Sequence, residues 1–95
     1  MEHSSEKLGN TLQTLLQDLG IENKIKQYRI INQWPEIVGE QVARHTQAEK
    51  IRDNILYVKV KSMTWRTELL FQKPHILNRI SEQVGRDLIR DIRFL

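Results

Sequence analysis

The chain has no cysteine, two prolines and four glycines among 95 residues, and each scarcity excludes something. Without thiols there is no disulfide framework and no thiolate metal site, so nothing requires an oxidising compartment. No apolar run approaches the roughly 20 residues of a membrane span, and the opening MEHSSEKLGN lacks the apolar core of a signal peptide. A cytoplasmic protein with no membrane partner is expected. Phosphate-binding and nucleophile signatures are missing as well: G-x-x-x-x-G-K-[ST], G-x-G-x-x-G and G-x-S-x-G do not occur. His3, His45 and His75 have no H-x-x-x-H spacing and no cysteine to complete a zinc site. His45 beside Thr46 is the one pairing able to poise a hydroxyl, but no third group accompanies it, and a structural role at a junction is the simpler reading. No metal, cofactor, small-molecule substrate or enzymatic activity is expected.

What is present fits one small globular domain over residues 6–95, preceded by a polar, disordered stretch over 1–5. A chain of this length buries roughly 60–65% of its unfolded surface, and the content of 39% apolar and 28% charged residues is ordinary for such a domain. The net charge of +3 is unevenly spread. Between Arg44 and Arg66, six basic residues (Arg44, Lys50, Arg52, Lys59, Lys61, Arg66) meet two acidic ones (Glu49, Asp53), leaving nine basic and ten acidic residues elsewhere. Such a patch suits phosphate or an acidic protein surface, although a solvated face has the same composition.

Periodicity orders the elements. Leu8, Leu12, Leu15, Leu16 and Leu19 make an amphipathic stripe ended by Gly20, read as core-facing, with docking onto a partner or a second copy as the alternative. Residues 22–33 predict a second helix with Ile25, Tyr28 and Ile31 on one side. A third segment begins at Pro35 with Ile37, Val38 and Val42 inward; Gly39 inside it calls for a reason such as close backbone approach. The period then changes. Residues 46–52 and 55–61 predict two strands joined by Asp53-Asn54 as an antiparallel hairpin. Leu56, Val58 and Val60 face the core; Tyr57, Lys59 and Lys61 face away. Ser62 caps a long helix carrying Trp65, Leu69, Leu70, Ile76, Leu77, Ile80 and Val84 inward, closed by Gly85, with a kink or break expected before Pro74. A last strand over 89–95 puts Ile92 and Phe94 on the core side, parallel to the second strand through a helical crossover. The fold class is α+β: N-terminal helices, a β-hairpin, a long helix and a C-terminal strand, with a three-stranded sheet packed on helices.

One ordered series of residues goes further. Trp34, Ile37-Val38-Gly39, Val42-Ala43, His45-Thr46, Ile55 to Val60, Ser62, Trp65, Glu68-Leu69, Lys73, Ile76-Leu77, Gly85 and Ile89 to Phe94 form W…VG…A-x-H-T…V-x-S-x-x-W…EL…G…I-x-D-I-x-F. This series resembles the DciA family, long grouped as a bacterial domain of unknown function, over nearly the whole chain from Leu12 to Leu95. The resemblance implies a K-homology-like (KH-like) domain in a protein that helps load or operate the replicative DNA helicase, binds DNA and uses no ATP. Two departures stand against a full transfer. Longer members carry a disordered tail around this domain, and contacts carried by such a tail are not expected here. The chain also lacks the GxxG loop by which true K-homology domains clamp a nucleic-acid backbone.

The candidate contact residues for nucleic acid or partner are Lys50, Arg52, Tyr57, Lys59, Lys61, Arg66 and Lys73. Trp34 and Trp65 fall on apolar stripes and are read as core, where truncating such a ring costs about 3–5 kcal/mol. Tyr57 lies in register with the lysines, either as a platform for single-stranded DNA or packed beneath a helix with the lysines snorkelling. Several phosphate contacts across the hairpin would give salt-dependent, sequence-tolerant binding, while edge lysines also guard against aggregation. Arg66 and Lys73, two turns apart, either extend the patch or are simply solvated. A module binding structured or ribosomal RNA is the alternative function.

Overall fold

The computed structural model describes residues 11–15 and 17–95. Asp53 and Asn54 both adopt left-handed backbone, at φ 53° and 61°, the twist that a two-residue hairpin loop needs. They join β1 (Thr46–Arg52) to β2 (Ile55–Val60). β3 (Asp91–Phe94) lies parallel to β2 on its other side, so the sheet order is β1-β2-β3. The neighbour of the last strand, undetermined by the sequence, is thus the strand carrying the valine–lysine alternation. Arg90 fastens the junction: its backbone N–H donates to the Asn54 carbonyl at 2.8 Å and its Nε to the Asp53 carbonyl at 3.0 Å.

The helices precede and follow the hairpin. Residues 11–15 and 17–18 are helical (α1), followed by α2 (Ile21–Asn32), α3 (Trp34–Val38), α4 (Glu40–Ala43) and, after the hairpin, α5 (Met63–Gln83). Ser62 caps α5 as expected, its hydroxyl accepting from the Trp65 N–H at 3.2 Å. Leu56, Val58 and Val60 bury one face of the sheet against Leu69, Ile76 and Ile80 of α5, with Ile30, Trp34, Ile37 and Ile92 completing the core. Each such side chain removed from water contributes about 1.5–3 kcal/mol. The described helices cover one face of the sheet; among the described residues the other is left open.

Several expectations are corrected. Leu12, Leu15 and Leu19 are 52–58% exposed, not core; helical spacing marks which side of a helix is apolar, not whether another surface meets it. Leu8 and Leu16 lie outside the described residues, as does the stretch 1–5. In α2, Ile25 and Tyr28 are exposed and Ile31 is half-buried, while Ile30 is the buried residue. The segment from Pro35 divides into α3 and α4 at Gly39, whose φ of 91° and ψ of 158° only glycine holds comfortably. Close approach is not the reason, since an added Cβ there meets nothing within 4 Å. α5 runs unbroken through Pro74: Leu70, whose carbonyl loses its donor, and Pro74 are both exposed, so solvent can take that carbonyl.

Candidate nucleic-acid interface

The open face of the sheet is set by one irregularity. Pairing runs Gln47↔Lys59 and Ala48↔Val58, then shifts so that Lys50↔Tyr57, Ile51↔Leu56 and Arg52↔Ile55 are opposed. Glu49 is therefore the extra residue of a β-bulge. Strict alternation would have turned Ile51 outward and Lys50 into the core; the bulge reverses the parity. Ile51 then lies opposite buried Leu56, and Lys50 and Arg52 join the open face. The spacing of Ala48 and Ile51, odd for a strand with one buried side, is the sequence signal of that bulge.

β3 completes the face. Its register places Arg93 opposite Tyr57 and Asp91 opposite Ile55. Tyr57 is thus flanked by Lys50 on one strand and Arg93 on the other, and the Lys50 Nζ sits 5.2 Å from the centre of its ring. Lys59 lies two residues along β2, with Lys61 just beyond the strand end. With strands about 4.8 Å apart and alternate residues about 6.7 Å apart along a strand, these groups share a patch about 10 Å across the three strands and about 20 Å along β2 from the Arg52 row to Lys61. Lys50, Arg52, Lys59, Lys61 and Arg93 are all exposed and Tyr57 is half-buried. Among the described residues the ion pairs are Arg44–Glu40 and Lys73–Asp91, so none of the face cations is neutralised by one.

Arg93 is the residue that sequence reasoning missed. Its alternation with Ile92 and Phe94 put it opposite the core, but nothing local tied β3 to β2. Arg66 and Lys73 are not brought to this face; both sit on α5, packed against the opposite side of the sheet. Arg66 is half-buried, its Nη1 3.5 Å from the Met63 Sδ and its Nε buried without a partner. The Lys73 Nζ is held 3.1 Å from Asp91 Oδ1. Trp34 is buried as expected, its Nε1 donating to Thr46 Oγ1 at 2.9 Å while that hydroxyl donates to the Val42 carbonyl. Both hydroxyl functions of Thr46 are therefore engaged. His45 ties α4 to β2 through its carbonyl, which accepts from the Lys61 N–H. Trp65 packs against the core but is only half-buried; it is stacked on the His45 ring at 4.5 Å between centroids and lines a shallow depression with Thr64, Thr67 and Glu68. It stands in the first turn of α5, one turn before the fully buried Leu69. No group of His, Asp and Glu among the described residues could hold a metal ion, and no described helix is long and apolar enough to cross a membrane.

Comparison with known proteins gives the same answer as the residue series. A UPF0232 protein of Corynebacterium glutamicum (strain R) is 34% identical over 89 residues, covering 94% of this chain and 50% of that protein. A UPF0232 protein of Streptomyces coelicolor is 31% identical over 90 residues, and one of Mycobacterium tuberculosis (strain ATCC 25618 / H37Rv) is 27% identical over 88; each match covers 93% of this chain and 47% of the relative. The chain spans about half the length of these bacterial relatives. The family model described as "Dna[CI] antecedent, DciA" matches residues 7–94, and the chain belongs to the DciA family.

Proposed function

We propose that this chain is a non-enzymatic accessory module of bacterial DNA replication, which binds DNA through the open face of its sheet and contacts a replicative helicase to assist its loading or operation. The observation that carries the DNA part is the arrangement of Lys50, Tyr57 and Arg93 across three adjacent strands, with Lys59 and Lys61 following along β2. An aromatic ring between cations suits a base stacked above it with its phosphates on either side. The contacts are to backbone charge and ring faces, so binding is sequence-tolerant. Four to five neutralised phosphates give a slope near −3 for log affinity against log salt on single strands. Family membership supports the helicase part, as do the exposed apolar side chains of Leu12, Leu15 and Leu19 on and just after α1 and of Ile25 and Tyr28 on α2, since exposed apolar surface marks contact sites.

Two measurements test the proposal. Titrating single-stranded DNA, duplex DNA and RNA across a salt series is expected to give the steepest dependence and tightest binding on DNA; preference for structured RNA would move the protein to the RNA-binding class. Mixing with the cognate helicase hexamer is expected to give co-elution and altered loading or unwinding, and neither effect would sink the helicase role. The engaged Thr46 hydroxyl supports the non-enzymatic reading.

A further inference from the structure

The far side of β3 carries a feature that the open face does not use. Leu95 spends both backbone groups on β2: its N–H donates to the Val58 carbonyl at 2.8 Å and its carbonyl accepts from the Val60 N–H at 2.9 Å. Residues of a parallel strand alternate in the side toward which they bond, so Ile92 and Phe94 turn their backbone groups outward, to the free edge of the sheet. There the Ile92 N–H is already occupied by the side chain of Asp91, which accepts it at 2.8 Å and is itself held by Lys73 of α5. Among the described residues no strand pairs with this edge, which leaves the Phe94 N–H and the carbonyls of Ile92 and Phe94 facing it. Beside them a groove of about 340 Å³ runs between α5 and the strand, with Leu70, Phe94 and Leu95 among its walls. Leu70 and Leu95 are half exposed.

We propose that this edge and groove take an extended acidic–apolar segment of a partner protein by strand addition. The backbone groups of Ile92 and Phe94 supply the ladder, and alternate apolar side chains of the segment enter the groove under Leu70. The charge around the edge chooses the partner. Lys73 and Arg93 line the groove with the single carboxylate of Asp91, and Lys73 is already paired with it. An acidic segment is therefore favoured over a basic one or a second copy of this edge, whose Lys73 and Arg93 would meet their own kind. The Asp91 cap blocks one outward N–H while the edge is empty, a means of keeping a free strand from indiscriminate pairing.

The probe is a blocked peptide alternating aspartate and valine, with a lysine–valine peptide as control, followed by amide NMR and hydrogen exchange on the whole chain. Acidic peptide is expected to slow exchange at the Phe94 amide about ten-fold while leaving Leu95, already bonded, unchanged. Leu70→Asp is expected to weaken the peptide about ten-fold, and Asp91→Ala, which frees the Ile92 N–H, to tighten it. Leu70 is half exposed, so that variant should keep its melting temperature; if it unfolds, Leu95→Asp, at another half-exposed residue of the groove wall, serves the same purpose. The proposal is overturned by an unprotected Phe94 amide, by equal binding of the lysine–valine peptide, by protection that grows with protein concentration in the absence of peptide, which would mean self-pairing, or by the same protection from an oligonucleotide.

Discussion

Gly39 holds a backbone conformation of φ 91° and ψ 158° between two short helices, in a region essentially reserved for glycine. Space is not limiting there, so Gly39→Ala isolates backbone strain from steric overlap: a loss of about 1–3 kcal/mol is expected in urea denaturation, and no loss would mean that α3 and α4 can rejoin. Asp91 offers a second residue-scale test. Its carboxyl is held below the usual range chiefly by its hydrogen bond with Lys73, which outweighs the opposing effect of burial, with lesser help from the Ile92 N–H and the charges of Lys73 and Arg93. A depressed folded pKa means that the contribution is present above the unfolded value near 3.9 and fades as pH falls through the lower folded value. The pair is partly solvent-exposed, at 26% and 45% of the two side chains, so the effect is below about 1 kcal/mol. Asp91→Ala should therefore narrow its stability gap to the parent as pH drops below about 4; a gap independent of pH would assign the loss to packing.

At the scale of elements, the bulge in β1 and the uninterrupted α5 show two ways in which local rules are met at a different level. One extra residue at Glu49 keeps Ile51 in the core and delivers Lys50 beside Tyr57, a change of parity that no propensity contains. In α5 the lost hydrogen bond at Pro74 is absorbed because the helix is anchored on both sides of it, by Leu69 before and Ile76 and Ile80 after. Pro74→Ala restores the donor at an exposed position and is expected to raise stability by about 1–3 kcal/mol. Calorimetry decides this, and an unchanged melting temperature would show that the helix bends locally at no cost.

For the whole molecule, helices on one face and charge on the other separate folding from contact. Lys59→Glu with Lys61→Glu is expected to weaken DNA binding at least ten-fold and to lower the salt slope by about 1–2, with a melting temperature nearly equal to the parent's. Unfolding of that variant would place the lysines in structural roles. The exposed apolar side chains on and around α1 and α2 are the reverse case, apolar surface that the described fold does not cover.

The sequence by itself determined the hairpin, the valine and leucine face of β2, the cap at Ser62, the parallel sense of β3 and the family. These rest on neighbours within a few residues, on an ordered motif or, for β3, on the handedness rule for a strand–helix–strand crossover. Only the tertiary structure decided that Arg93 lies against Tyr57, that Lys73 turns to Asp91, that Trp65 stands at the rim on His45, and that Leu12, Leu15 and Leu19 stay exposed. The reason is physical: periodicity records which residues share a side of an element, whereas burial and charge pairing depend on what another element, distant in the chain, brings against that side.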